Sequence, residues 1–241
     1  MKTTKIEWTD KTWNPITGCS KVSAGCINCY AEVMARRLQA MGQDKYKNGF
    51  NITLHEDALE EPLRWKSSHT IFVCSMSDLF HDHVPFEFID KVMTVIRKTH
   101  WHRYQLLTKR AERMAEYFQM HDIPQNAWLG VTVEVQSTKK RMDILRNLDA
   151  SIRFLSCEPL LECLGELNLD NIDWVIVGGE SGTSARPMQQ DWVLSIKEQT
   201  ETQGTSFFFK QWGTWGNDGI KRNKHSNGKL INGKVYQEMP R

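Results

Sequence analysis

No stretch of this sequence approaches the ~18 consecutive apolar residues of a membrane span. The opening Met1-Lys2-Thr3-Thr4-Lys5-Ile6-Glu7-Trp8 leads into no apolar run of the kind a secretory leader carries. A strong charge of one sign is also missing. The 31 Lys and Arg against 29 Asp and Glu leave a net charge of +2, too mild to argue for nucleic-acid binding on charge alone. No internal repeat is visible. These absences point to a cytoplasmic protein with no membrane partner. In that reducing compartment disulfides are rare, so the six cysteines gain weight as metal ligands or catalytic groups.

What is present is an alternation of short apolar runs and helical patterns. The runs are Ile71–Cys74, Tyr104–Leu107, Trp128–Val133, Ile152–Leu155, Trp174–Val177 and Ser206–Phe209. They are short and mostly unalternated, as strands buried on both faces of a parallel sheet are. Two weaker strand candidates precede them, one before Cys19 and one at Phe50–Leu54. Helical patterns fall between most of the runs. Tyr30, Met34, Leu38 and Met41 share one helical face, as do Phe88, Val92 and Val95. Arg110–Phe118, Ser137–Leu148 and Gln190–Gln203 also read as helices, whereas the connection after Leu155, with Pro159 and Gly165, is irregular.

Repeated β-then-α units demand parallel strands with crossovers. Eight candidate strands in 241 residues predict an α/β fold, a single TIM-like (β/α) barrel, complete or nearly so. An open doubly wound sheet is the alternative. The barrel is expected over 1–212, with the cysteine loop near its start. A small polar appendage is expected over 213–241, where Asn232-Gly233 marks a two-residue hairpin turn.

The strongest motif is Cys19-Ser-Lys-Val-Ser-Ala-Gly-Cys26-Ile-Asn-Cys29, a C-x6-C-x2-C spacing. The C-x2-C pair lets two thiolates reach one metal centre, and the longer arm can wrap round to deliver a third. Gly18 and Gly25 give the loop backbone freedom. A structural zinc site closes its tetrahedron with four protein ligands, yet no fourth Cys or His lies nearby in sequence. Cys74, Cys157 and Cys163 are distant. A [4Fe-4S] cluster held by three thiolates leaves one iron open to an outside ligand, the mark of a reactive centre. Zinc completed by a distant residue such as His81 or His83 is the alternative.

Several segments are similar to those of the phage-type three-Cys-motif family, usually left as a domain of unknown function. They are Lys5–Asp10, Thr12–Pro15, Thr17–Cys19, Gly25-Cys26 and Cys29–Ala31. Further matches are Ser77–Phe80, Leu107–Arg110, Gly130–Glu134, Ser156–Leu160, Val177–Gly182, Ala185–Pro187 and Phe209–Gly213, so the resemblance covers nearly the whole chain. That family resembles radical SAM enzymes in its cysteine triad and barrel. The resemblance implies S-adenosyl-L-methionine bound at the open iron and cleaved to a 5′-deoxyadenosyl radical, with the protein positioning the cofactor and excluding solvent. It implies a reductant such as flavodoxin or ferredoxin. The phage-type distribution points to a small-molecule or nucleic-acid substrate, a nucleotide among them, and to a three-Cys-motif partner protein. The sequence departs from the usual radical SAM pattern in three places. Its first cysteine gap is six rather than three, Asn28 rather than an aromatic precedes the third cysteine (Tyr30 follows it), and Gly178-Gly179-Glu180 sits late in the chain.

Active sites of β/α barrels lie at the carboxyl ends of the strands, and here those ends are polar. They supply Ser75, Ser77, Asp78, Thr108, Lys109, Arg110, Thr132, Glu134, Glu158, Glu180, Ser181, Lys210 and Gln211. The candidate metal ligands are Cys19, Cys26 and Cys29. The candidate cofactor contacts are Tyr30, Glu134, Glu158, Gly178, Gly179 and Arg186, with the glutamates suited to ribose hydroxyls or an ammonium. The candidate catalytic residues are Lys109, Glu158, Glu180 and Lys210. A ring of ion pairs that merely finishes the barrel mouth would use the same residues. Two other functions stay open: a metal-stapled nucleic-acid-binding barrel using Trp212, Trp215 and the Lys-rich tail, and a metal-dependent hydrolase using Asp78, His81, His83 and Glu158.

Overall fold

The computed structural model describes residues 4–240. Met1 to Thr3 and Arg241, at the ends of the two expected spans, lie outside the described residues. The strands are β1 (Lys11–Trp13), β2 (Ile16–Thr17), β3 (Thr53–Leu54), β4 (Thr70–Val73), β5 (Arg103–Thr108), β6 (Ala127–Thr132), β7 (Arg153–Cys157), β8 (Trp174–Gly178) and β9 (Ser206–Gln211). The helices are α1 (Tyr30–Ala40), α2 (Phe86–Lys98), α3 (Ala111–Met120), α4 (Lys140–Leu145), α5 (Gln190–Gln203) and α6 (Lys224–Asn227).

Seven strands form one sheet in the order β1-β4-β5-β6-β7-β8-β9. The pairs β1–β4, β4–β5, β7–β8 and β8–β9 are parallel. This is a mostly parallel α/β fold, in an order consistent with a TIM-like barrel. The order never reverses, so the doubly wound alternative, which needs a reversal at a switch point, is excluded. The apolar runs mark the strands because both faces are covered: every residue of β6 and β8 is buried.

The expected eighth parallel strand is a correction. Of Phe50–Leu54 only Thr53 and Leu54 are extended, and they pair antiparallel with Ile16 and Thr17 in a separate two-stranded sheet. Both are only half-buried, too exposed for an inner strand. The stretch before Cys19 divides into β1 and β2 around Asn14-Pro15, where Pro15 has no N–H to give a ladder.

The chain forms two compact units. One takes in the residues up to 22, 29–130 and 148–151; the other takes in 23–28, 131–147 and the residues from 152 onward. In the first unit, α2 buries Phe88, Ile89, Val92, Met93, Val95 and Ile96, the face its spacing predicts. Helix α1 forms where expected but is rotated by about a quarter turn from the expected face. Its buried residues are Ala31 and Ala35, packed with Met76, while Tyr30, Met34 and Met41 are 59%, 42% and 61% exposed. The two alanines let the helix backbone approach closely, and that outweighs the larger side chains on the adjacent stripe.

In the second unit, α5 covers the expected span and stops at Gly204, which adopts a left-handed φ of 73° and donates to the Thr200 carbonyl. The expected helix over Ser137–Leu148 is shorter. A 3-10 turn at Gln136–Thr138 precedes α4, and the Thr138 hydroxyl, which accepts from the Glu134 and Val135 N–H groups, holds that turn. No helix separates β7 from β8. Toward the carboxyl terminus Ile231 and Lys234 exchange backbone hydrogen bonds around Asn232-Gly233. The chain then runs back along β9, where the Phe209 N–H donates to Tyr236 and the Glu238 N–H to Phe207.

Gly178 and Gly179 end and follow β8 under different constraints. A β-carbon on Gly179 would lie 1.9 Å from the Trp212 carbonyl oxygen, whereas one on Gly178 would meet the flexible Glu158 carboxylate at 3.3 Å. Gly179→Ala should therefore lower stability by at least ~2 kcal/mol, and Gly178→Ala by under ~1 kcal/mol. Urea denaturation of the two variants checks the contrast, and equal losses would refute it.

Candidate functional site

The first cysteine is held by a buried arginine. Cys19 follows Gly18, whose φ is 85° and where a β-carbon would lie 2.1 Å from the Asn51 carbonyl oxygen; only glycine fits there. The Gly18 N–H donates to Met76 and the Cys19 N–H to Phe50, which fixes the start of the loop. Arg110 Nη1 donates to Cys19 Sγ at 3.7 Å and to Asp78 Oδ2 at 3.1 Å. Its Nη2 donates to the Ser20 hydroxyl at 2.9 Å and the Ser20 carbonyl at 3.3 Å. Asp78 in turn accepts from the Thr108 hydroxyl and from the Phe80 and Lys109 N–H groups. Burial disfavours the arginine cation, but Asp78 and Cys19 more than offset this, and the Arg110 pKa is raised.

The third cysteine caps α1, accepting from the Val33 N–H, and packs against the Ala31–Ala35–Met76 cluster. Tyr30 beside it donates its hydroxyl to the Ser75 carbonyl.

In the second unit the middle of the loop rests on two buried carboxylates. Glu134 is fully buried. Its Oε2 accepts from Arg141 at 2.9 Å, and its Oε1 accepts from the Ser23 hydroxyl and from the Gly25 N–H. A β-carbon on Gly25 would press on that carboxylate at 3.0 Å. Cys26 closes the 3-10 turn Ala24–Cys26, with its N–H on the Ser23 carbonyl. Asn28, in the short gap between the second and third cysteines, donates to Glu180 Oε2 at 3.1 Å and to the Ser184 carbonyl at 2.9 Å. Arg186 grips the same carboxylate through Nε at 2.9 Å, Nη2 at 2.6 Å and its backbone N–H at 2.8 Å. Burial works against ionisation of Glu180. The hydrogen bonds from Arg186 and Asn28 outweigh it and hold the carboxyl below its ordinary value.

Glu158 and Lys210 form a third pair in this unit at 2.5 Å, with about a fifth of each side chain exposed. Arg186 and Lys210 are thus both engaged by glutamates, and the space at Gly179 is filled by the Trp212 backbone. The structure therefore contains the ion pairs foreseen as the alternative use of these residues. Ser23 and Arg141 do not stand out in the sequence, and Asn28 and Arg110 carry no specific role there. Asn28 alone had a local signal, its place inside the C-x2-C pair.

Several of the other candidates have structural tasks. None of the six cysteines is in a disulfide. Burial pushes the Cys157 thiol up to about 12 and Cys74 higher still, so both stay protonated. Cys163 is exposed. Of the hydrolase set, Asp78 is committed to the donors above, and His81 Nδ1 accepts from the His83 N–H at 3.1 Å. Trp212 is 2% exposed and donates to the Leu230 carbonyl, so it belongs to the core and offers no stacking face. Trp215 is half-buried, with Lys221 over its ring at 5.7 Å.

A family model described as protein of unknown function, DUF5131, matches residues 3–240. The chain belongs to the DUF5131 family. No curated protein matches it. Solved structures of spore photoproduct lyase are distantly similar. The enzyme complexed with dinucleoside spore photoproduct is 11% identical over 77% of this chain and 59% of that one, with a TM-score of 0.44. A variant with one cysteine replaced by serine is 12% identical, over 83% and 65%, with a TM-score of 0.46. A doubly substituted variant with bound AdoMet and dinucleoside spore photoproduct is 11% identical, over 79% and 60%, with a TM-score of 0.44. The chain spans less than two thirds of those chains.

Among the described residues no helix is long and apolar enough to cross a membrane, and no three His, Cys, Asp or Glu side chains are gathered closely enough to hold a metal ion. The donor chemistry of this DUF5131 chain nevertheless fits an iron–sulfur centre. Three half-buried thiols lie in one loop, none is oxidised to a disulfide, and a cationic donor stands on the first sulfur.

The Glu180 clasp has a pH signature. Because its folded-state pKa is depressed, its contribution is fully present above the ordinary carboxylate value and is lost as pH falls through the folded-state value. Glu180→Gln should cost about 2 kcal/mol at neutral pH and leave a flatter acid limb. Urea midpoints between about pH 7 and pH 3 measure this. An unchanged acid limb in the variant would show that the clasp contributes nothing.

Proposed function

We propose that this DUF5131 protein is an enzyme that holds a [4Fe-4S] cluster on Cys19, Cys26 and Cys29 and uses S-adenosyl-L-methionine for radical chemistry on a nucleotide or nucleic-acid substrate. The observation that carries the reading is the C-x6-C-x2-C loop, with three thiols and no fourth ligand nearby in sequence, fastened by buried groups at Cys19 and between Ser23 and Asn28. A loop with no ligand to hold would not need two fully or nearly fully buried carboxylates beneath it, since each buried charge is costly unless paired. The chemistry such a centre supplies when bound is one-electron reductive cleavage of a carbon–sulfur bond of the sulfonium, releasing methionine and a deoxyadenosyl radical.

This chain's residues then divide their work. Glu134 with Arg141, and Glu180 with Arg186, act through the loop and set its shape. Glu158 and Lys210, half-buried just past β7 and near the end of β9, form the pair suited to a zwitterionic or hydroxyl-bearing ligand: an ammonium or ribose hydroxyl on Glu158, a carboxylate or phosphate on Lys210. Gly178 leaves room beside the Glu158 carboxylate for such a ligand to approach. Tyr30, tied to Ser75 next to Cys29, and Lys109, whose N–H is fixed by Asp78, stand beside the ligand loop and the Arg110 frame. An electron donor of the flavodoxin or ferredoxin kind completes the scheme.

The test is anaerobic reconstitution with iron and sulfide, followed by dithionite and S-adenosyl-L-methionine. About four irons per chain, with 5′-deoxyadenosine formed by the native protein and abolished in Cys26→Ala, is the expected result. Zinc without iron, or a cluster that never cleaves the cofactor, would refute the proposal.

A further inference from the structure

Arg110 is 6% exposed, and its guanidinium is held from both ends. Asp78, itself fixed by Thr108, Phe80 and Lys109, holds Nη1. Ser20 holds Nη2 through its carbonyl and hydroxyl. Ser20 is anchored in turn by His81 Nε2 at 2.8 Å. Since His81 Nδ1 accepts from the His83 N–H, the neutral ring carries its proton on Nε2 and donates it to Ser20. The exposed Asp82 carboxylate comes no closer than 3.7 Å, on the Nε side, and is too far away to draw the guanidinium off. Nη1 therefore remains on Cys19 Sγ.

We propose that Arg110 is a positioning residue for the first cluster ligand, and that its N–H···S bond sets the potential at which a centre on Cys19 accepts an electron. This rests on the reading of Cys19, Cys26 and Cys29 as cluster ligands. Electron uptake adds negative charge to the centre and its sulfurs. A cation that donates directly to one of those sulfurs stabilises the reduced form and raises the potential. Asp78 balances the local net charge but cannot replace the donor on sulfur. The outcome is a centre that an ordinary protein reductant can reduce.

Three variants test this by potentiometric titration of the reconstituted protein, with iron content and circular dichroism recorded for each. Arg110→Gln removes the cationic donor but leaves Asp78 buried and unpaired, which endangers folding. The double variant Asp78→Asn with Arg110→Gln removes both buried charges and leaves only the exposed Asp82 carboxylate nearby. Arg110→Lys keeps a charged donor. The expected result is that Arg110→Gln, alone and in the double variant, shifts the one-electron equilibrium about tenfold toward the oxidised form, which is about 59 mV, while Arg110→Lys shifts it less. A folded double variant that retains its iron and is reduced at the native potential would overturn the role of Arg110 and leave the ligand reading intact. Native protein that retains no iron at all would overturn the ligand reading and this proposal with it.

Discussion

Glu134 has no exposed surface, so the free energy of its charge is set entirely by what surrounds it. An isolated carboxylate in that position would be too costly to keep ionised. Arg141 supplies the countercharge, and the Ser23 hydroxyl and Gly25 N–H supply hydrogen bonds to the other oxygen. The dependence runs both ways. The loop segment needs the carboxylate to satisfy its polar groups, and the carboxylate needs the loop to complete its shell. A loop of six residues between cysteines, with no strand or long helix of its own, gains a defined shape from this exchange.

The same device recurs around the loop. Glu180 takes Asn28 and Arg186, and Asp78 takes Arg110, which reaches Cys19 and Ser20. In each case a buried or nearly buried carboxylate is neutralised by an arginine, and the assembly holds loop atoms close to a thiol. Arginine suits this better than lysine because its planar fork binds a carboxylate and a second acceptor at once. Glu158 and Lys210 differ: the pair is partly exposed and involves no loop residue. On the proposed function, that contrast separates the groups that shape the site from the pair offered to a ligand.

Most of the scaffold was legible in the sequence. The six apolar runs mark β4 to β9 because valine, isoleucine, phenylalanine and tryptophan are buried on both faces there. The end of α5 was legible because Gly204 takes the left-handed conformation that stops a helix. The face of α1 was misread because alanine counts for little in an apolar pattern, yet Ala31 and Ala35 decide the packing. Phe50–Leu54 was misread as an inner strand because β-propensity says nothing about which sheet a strand joins. At the site, the C-x6-C-x2-C spacing stands out in the sequence itself. The supports of the cysteines do not, because Ser23 meets Glu134 across 111 residues of chain and Asn28 meets Glu180 across 152. No local pattern carries such pairings.

The protein alone, with no metal present, gives the cysteine loop its shape through the Glu134 and Glu180 carboxylates. Hydrogen exchange of the metal-free protein at the Gly25, Cys26 and Ile27 amides tests it most directly, since these donate to Glu134, Ser23 and Ala24. Protection in the native protein, lost in Glu134→Gln while β6 and β8 remain protected, is the predicted result. Exchange of those amides at the rate of an unstructured chain in the native protein would contradict it.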